Sequence, residues 1–173
     1  MRYWLLVLIA PLAAMLTLAG RAGVSAADTD AQQVRDRAAI DQLMWRYVRA
    51  LDTLDPEAYA AVYTEDGEFG TGPGATKGSA ALIKMIAGLK TGQAERKEKG
   101  EAIGPMYHVL TNHTLEFVGS DQARYNGYWM TVFGPADRNG QARVAAVGRE
   151  VDLLVRVNGK WLIKTRNVAP TGN

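Results

Sequence analysis

The periodicity of apolar residues changes once along this chain, and that change constrains the fold more than any single motif. Between residues 30 and 89, apolar side chains recur at steps of three or four, as in Leu43, Tyr47 and Leu51, which is the spacing of an amphipathic helix. After residue 105, runs rich in Val, Tyr, Phe, Trp and Thr are divided by turn sequences such as Asn158-Gly159, which favours a β-hairpin. Helices followed by long strands predict an α+β protein whose helices pack on one face of a sheet.

The turn and capping residues between these segments predict three helices and a four-stranded meander. The first helix spans about 25 residues from about Asp30, and Asp55-Pro56 ends it and begins a short second helix over residues 56–63. A turn into a short strand, a loop at residues 71–78 and a third helix over residues 79–89 follow. A mobile connection at residues 90–104 then precedes four antiparallel strands.

The first 26 residues have the three-part layout of a secretory signal peptide. Arg2 precedes an uncharged apolar run at residues 3–20, and the small residues Val24 and Ala26 form a cleavage motif. A single membrane anchor is the alternative, since the apolar run approaches the length that spans a bilayer. The cleavage motif favours the signal peptide, so we expect a periplasmic or secreted product without a membrane anchor, and one domain over residues 30–170.

Composition removes several classes of function. The sequence has no Cys, which excludes disulfides, thiol nucleophiles and thiolate metal sites. Its two His residues cannot complete a typical zinc site without several carboxylates, so we expect no bound metal. The 20 Lys and Arg residues include Arg2 and Arg21 of the leader, which leaves 18 against 18 Asp and Glu. A domain without net charge gives no electrostatic reason to expect nucleic acid binding.

Three segments of the mature chain have characteristic residue types in a characteristic order. They read AIDQLMWRYVRALDTLDPEAYAAVYTEDGEF, HVLTNHTLEFVGSDQARYNGYW and GREVDLLVRVNGKWLIKTRNV. Together they resemble the SnoaL-like domains of the nuclear-transport-factor-2-like superfamily, over residues 35–168. The resemblance implies a cone-shaped α+β barrel, in which three N-terminal helices pack on a curved, mostly antiparallel sheet that encloses a pocket.

Such families include scytalone dehydratase, bile-acid dehydratases, ketosteroid isomerase, limonene epoxide hydrolase and polyketide cyclases, and also members without known activity. The fold therefore transfers more safely than the chemistry.

The two histidines of the sequence, His108 and His113, fall five residues apart on one predicted strand. Ideal alternation sends residues five apart to opposite faces, so at most one should line a pocket. The same alternation places Val109, Leu115 and Phe117 on the face that carries His113. That face would be apolar and open, and the resemblance implies a homodimer that covers it.

In the dehydratases of this resemblance, a pocket histidine and an aspartate near the end of the first helix occupy the positions of His108 and Asp52. A carboxylate beside an imidazole fixes its tautomer and raises its basicity, which suits removal of a proton next to a carbonyl. Tyr47 matches the bile-acid dehydratase pattern and would donate a hydrogen bond to the oxygen of a forming enolate. From the residues alone, His108 could equally be a strand histidine bonded to the backbone, Asp52 a turn residue and Tyr47 a core residue.

Other polar residues are weaker candidates. Tyr63, Asn112 and Tyr128 could orient a substrate, although half-buried strands carry such residues without that role. Glu150 and Asp152 share one face of their strand and could bring two carboxylates to the pocket. We favour the alternative for this pair, a solvated strand face, because carboxylates are usually exposed.

These residues lead to two functional hypotheses. The first is a cofactor-independent dehydratase or isomerase acting on a small, mostly apolar hydroxy-carbonyl compound, such as a steroid, terpenoid or polyketide-like molecule. Asp52 and His108 would be its acid–base pair and Tyr47 its oxyanion donor. The alternative is a non-catalytic module that binds a small apolar molecule or serves as a dimeric assembly unit. An Asp52–His108 pair within hydrogen-bond distance and facing a cavity favours the enzyme.

Overall fold

The computed structural model describes residues 26–171. The predicted signal peptide therefore lies outside the described residues, apart from Ala26, with which the first helix begins. Within this range, no helix has the length and apolar character that a membrane span requires.

Three helices pack on one six-stranded sheet. The helices are α1 (Ala26–Asp52), α2 (Pro56–Ala60) and α3 (Ser79–Glu98). The strands are β1 (Tyr63–Phe69), β2 (Thr76–Lys77), β3 (Met106–Phe117), β4 (Gln122–Phe133), β5 (Arg143–Val157) and β6 (Lys160–Asn167). Their order in the sheet is β2-β1-β6-β5-β4-β3, and β1 runs parallel to β6 while all other neighbours are antiparallel. The predicted α+β class, with a curved and mostly antiparallel sheet and a β3–β6 meander, is confirmed.

The break between α1 and α2 lies where the sequence predicts it, although α2 ends at Ala60 and Tyr63 begins β1. The Asp55 carboxylate accepts a hydrogen bond from the amide of Ala58, and Pro56 occupies the first turn of α2. The apolar stripe of α1 is buried against the sheet, where α1 contacts β3 and β6. The fully buried core side chains include Ile40, Leu43, Tyr59, Leu82, Ile86, Leu154 and Ile163.

The third helix is longer than its apolar periodicity predicts. It continues from Leu89 to Glu98, so more than half of the predicted mobile connection at residues 90–104 is helical. The added residues are mostly Lys, Gln, Ala, Arg and Glu, which are good helix formers. They are largely exposed and leave no apolar pattern in the sequence, because this part of the helix has little core to cover.

A β-bulge in β3 overturns one prediction from alternation. The pairing of β3 with β4 shifts between Thr111 and Thr114, and Asn112 adopts the left-handed conformation with φ 49°. The extra residue reverses the alternation, so His113 faces the helices, as His108 does. Leu115 and Phe117 likewise pack against the core and do not share the open face with Val109. The prediction of opposite faces for the two histidines is therefore wrong.

Candidate active site

Asp52 and His108 form a hydrogen-bonded pair where the end of α1 meets β3. Asp52 Oδ1 lies 2.8 Å from His108 Nδ1 and also accepts the backbone N–H of His108 at 2.9 Å. The two side chains are 9% and 15% exposed, respectively. A carboxylate oxygen held by both the backbone and the ring of one residue fixes where that ring lies.

The hydrogen bond assigns the tautomer of His108. Because Asp52 can only accept when it is ionised, Nδ1 carries the proton and Nε2 of the neutral ring is left with a free lone pair. Among residues 26–171, no protein group hydrogen-bonds to Nε2. The free nitrogen is therefore the atom of this pair that can exchange a proton with a ligand.

His108 lines a cavity of about 210 Å³ between the helices and the sheet. The walls are mostly apolar and come from Leu51, Phe69, Leu110, Trp129, Ala146 and Val168. Four polar side chains join them, those of Tyr47, His108, Thr131 and Arg166. An apolar concavity with a few convergent polar groups is the usual form of a small-molecule site.

Tyr47 reaches this cavity from α1 and lies under the guanidinium of Arg166. The Cζ atom of Arg166 is 4.0 Å from the centre of the Tyr47 ring, a cation–π contact. Burial raises the pKa of the Tyr47 phenol, although the charge of Arg166 opposes the shift. The phenol therefore stays protonated at neutral pH.

The structure brings together three of the six predicted site residues: Asp52, His108 and Tyr47. Tyr63 lies behind the cavity wall, buried in a cluster where its hydroxyl is 3.1 Å from that of Tyr59. Burial raises the pKa of Tyr63 well above its usual value.

Asn112 and Tyr128 lie away from the cavity. Asn112 is the exposed residue at the bulge, and its side chain accepts a long hydrogen bond, 3.4 Å, from the neighbouring Thr111 hydroxyl. Tyr128 is 51% exposed on the open face of the sheet, because Gly127 and Trp129 on either side of it face the helices.

The prediction of a solvated strand face for Glu150 and Asp152 is wrong. They share one strand face as predicted, but that face is buried and not solvated, and each residue is 1% exposed. Both pair with Arg166, whose Cα lies opposite that of Asp152 in the β5–β6 ladder. Sequence reasoning missed Arg166 as a cavity residue. The signal that could have found it is an arginine on the neighbouring strand, in register with two carboxylates spaced at i and i+2.

His113 forms a second and looser histidine–aspartate contact. Its ring stacks on Tyr125 with centres 4.9 Å apart, and Nε2 lies 3.6 Å from Asp41 Oδ1, where both side chains are about half exposed. This contact borders an open groove of about 420 Å³ between α1 and β3 that shares His108 and Leu110 with the inner cavity. The tighter and more buried Asp52–His108 pair is the stronger candidate.

The described residues contain no group of three His, Cys, Asp or Glu side chains placed to hold a metal ion.

Similar proteins of known structure share this fold. A nuclear-transport-factor-2-like protein with a cystatin-like fold from Novosphingobium aromaticivorans is 24% identical, with a TM-score of 0.65, over 86% of this chain and 92% of its own. A protein of the same organism, provisionally named a scytalone dehydratase, is 23% identical with a TM-score of 0.64, over 84% and 98%. A Mycobacterium tuberculosis protein of unknown function is 24% identical with a TM-score of 0.66, over 83% and 76%. At these identities the likeness shows the fold alone.

No curated protein matches the chain. The family model of the SnoaL-like domain, by contrast, matches residues 32–167, which is nearly all of the described structure. The chain belongs to the SnoaL-like domain family.

Proposed function

We propose that this protein is a cofactor-independent dehydratase or isomerase that acts on a small, mostly apolar hydroxy-carbonyl compound. The observation that carries the proposal is the 2.8 Å contact between Asp52 and His108, which leaves His108 Nε2 as a free proton acceptor at a mostly apolar cavity. A non-catalytic binding module has no need for an oriented base of this kind.

The reaction begins with His108 Nε2 removing a proton from the carbon next to the substrate carbonyl. The Asp52 carboxylate stabilises the imidazolium that forms, because it already accepts the Nδ1 proton. The C–H electron pair moves toward the carbonyl oxygen, and the Tyr47 hydroxyl donates a hydrogen bond to that oxygen as it becomes an enolate.

The fate of the proton separates the two activities. In a dehydratase, the imidazolium returns the proton to the hydroxyl on the adjacent carbon, the C–O bond breaks, and water leaves as the double bond forms. In an isomerase, the imidazolium returns the proton to a different carbon of the conjugated system. Neither step consumes an oxidant, a reductant or a cofactor.

Cavity size favours the smaller members of the substrate class. Drug-sized ligands occupy pockets of roughly 300–1,000 Å³. The inner cavity holds about 210 Å³, which suits a substrate with one or two rings. A steroid would have to extend past His108 toward the outer groove.

The test is turnover of a panel of small cyclic β-hydroxy-ketones and β,γ-unsaturated ketones by the wild type and by His108→Ala, Asp52→Asn and Tyr47→Phe. We expect His108→Ala to lower kcat by about 10²–10⁴-fold, the usual contribution of a general base. His113→Ala is the matched control, since His113 lies outside the inner cavity, and it should retain activity. Equal activity of His108→Ala and the wild type would overturn the proposal.

We further propose that the mature protein is exported and forms a homodimer through the open face of the sheet. That face exposes Tyr107, Val109, Tyr128 and Val147, which are 48%, 38%, 51% and 65% exposed. Large apolar patches of this kind usually serve as interfaces. Light scattering should give twice the monomer mass, and Val147→Lys should halve it; a monomeric wild type would remove the dimer. Cell fractionation with N-terminal sequencing tests export.

A further inference from the structure

An arginine of the cavity wall is buried with two carboxyl groups that lie behind it. Arg166 donates one hydrogen bond to Asp152 Oδ2 and another to Glu150 Oε2, and all three residues are 1% exposed. If both carboxyls were ionised, the cluster would hold a net negative charge with almost no water to solvate it. An uncompensated buried charge is costly enough that a group usually changes its protonation state.

Part of each carboxyl has no partner. Glu150 Oε1 and Asp152 Oδ1 are buried without a hydrogen-bond partner among the described residues, and so is Arg166 Nε. An ionised carboxylate needs donors at both oxygens more than a neutral acid does. The geometry therefore favours the neutral form for one of the two groups.

Among residues 26–171, Arg166 is the only cation that pairs with the two carboxyls. Facing the carboxyls from other elements are Tyr47 on α1, Tyr63 on β1, Tyr125 on β4 and Arg166 on β6, with His113 and Asp41 beyond the Tyr125 ring. Burial raises the pKa of all three tyrosines, so these phenols stay neutral. The pKa of Asp152 rises to about 7, chiefly through burial, which outweighs the opposing charge of Arg166.

We propose that Glu150 and Asp152 share one proton at neutral pH and with Arg166 form an electrically neutral buried unit. Burial raises the pKa of both carboxyls, so either of them can hold the proton. The unit positions the cavity wall, because it holds the Arg166 guanidinium 4.0 Å above the Tyr47 ring. Glu150 and Asp152 are positioning residues, since Arg166 and not they line the cavity.

Loss of the shared proton changes the cavity. It adds a negative charge behind Arg166 and Tyr47, which disfavours a negative charge on any oxygen bound beside them. Only this consequence rests on the proposed function. The shared proton itself is a property of the folded protein without substrate.

Infrared difference spectroscopy of the whole protein between about pH 5 and about pH 9 tests the proposal, because a protonated carboxyl has its own C=O stretching band. Exposed carboxyls ionise near pH 4. The band of the shared proton should remain above that pH and disappear only near pH 7. Asp152→Asn should lack the band. Glu150→Gln should lack it too, because Asp152 then balances Arg166 alone and ionises at lower pH.

The matched control is Glu116→Gln, which removes an exposed carboxylate paired with Arg124 and should keep the band. Absence of the band in the wild type above about pH 6 would overturn the proposal, as would its persistence in both cluster variants. The wild-type titration decides the question even if a variant fails to fold.

Activity separates this inference from the proposed function. A band without turnover of any substrate leaves the shared proton standing and removes the reaction. With an active substrate, kcat should fall as the pH rises through about 7, and Asp152→Asn should lose that decline while Glu116→Gln keeps it. An identical decline in Asp152→Asn would remove the functional role of the unit.

Discussion

Two arginine–carboxylate clusters on β5 and β6 contain the same types of charged residue, but the pKa of their aspartates shifts in opposite directions. At the rim, Arg156 pairs with Asp36 of α1, whose Oδ1 also accepts hydrogen bonds from Trp161 and Gln32, each at 3.0 Å. In the interior, Arg166 pairs with two carboxyls, each of which keeps one oxygen without a partner.

The difference shows in the direction of the pKa shifts. Burial alone would raise the pKa of Asp36, but the hydrogen bonds from Trp161, Arg156 and Gln32 lower it below the usual value. Burial raises the pKa of Asp152 because one guanidinium, shared with Glu150, does not compensate it. Deep burial with one shared donor favours the neutral acid in the interior cluster, whereas three donors keep Asp36 ionised at the rim.

Removing the cations should give the largest difference between the clusters. Arg166→Met leaves two buried carboxyls without a cation, and we expect a loss of about 3–5 kcal/mol in the free energy of unfolding, or failure to fold. Arg156→Met should cost about 2 kcal/mol or less, because Asp36 keeps two hydrogen-bond donors, Trp161 and Gln32. Urea denaturation at pH 7 measures both losses, and equal losses would contradict the comparison.

Asp152 and Asp36 should contribute to the pH dependence of stability with opposite signs. The folded pKa of Asp152, about 7, exceeds its unfolded value of 3.8, so the folded state binds this proton more tightly and loses stability as the pH rises between them. Asp152→Asn removes this loss and should gain about 2 kcal/mol relative to the wild type between pH 5 and pH 8.

Asp36 has a lowered pKa, so its stabilisation is present above the unfolded value and is lost only as the pH falls through the folded one. The difference between Asp36→Asn and the wild type should therefore stay flat between about pH 5 and about pH 8. Urea unfolding at four pH values measures both trends. If the difference in the free energy of unfolding between Asp152→Asn and the wild type stayed flat over this pH range, the distinction between the clusters would be wrong.

Taking one donor from the rim cluster should have a smaller effect. Trp161→Phe keeps an aromatic ring in the core but removes the indole N–H from Asp36, and we expect a loss of about 1–1.5 kcal/mol. Trp45→Phe is the matched control, because Trp45 is 59% exposed and should change little. A loss of equal size in both variants would show that ring volume, and not the hydrogen bond, is what matters.

An exposed ion pair should show the smallest change in the free energy of unfolding. Arg124 and Glu116 lie 3.2 Å apart with both side chains more than half exposed. Glu116→Gln should change the free energy of unfolding by less than about 0.5 kcal/mol, since solvent screens such pairs. A larger loss in urea denaturation would mean that contact distance alone ranks these ion pairs.

Sequence periodicity predicted the element types well because each element buries one face. The apolar stripe of α1 and the turn at Asn158-Gly159 appear in the structure where the sequence indicates them. The extension of α3 to Glu98 could not be predicted in this way, because helix propensity without an apolar face leaves no periodic signal.

The candidate site was predicted in part. Asp52 and His108 were named through resemblance to a family, and their 2.8 Å contact is a property of the folded chain, since 56 residues separate them. Arg166 was not named as a cavity residue. Its role depends on the registry of β5 and β6, which puts Asp152 opposite it.

Within an uninterrupted helix or strand, the sequence by itself determined which residues share a face, because side chains alternate along a strand and repeat every three or four positions along a helix. It did not determine which face the helices would cover. Only the tertiary structure decided that Glu150 and Asp152 point inward, and that the bulge at Asn112 turns His113 toward α1. Alternation is a local property of the backbone, whereas burial and register depend on contacts between residues far apart in the chain.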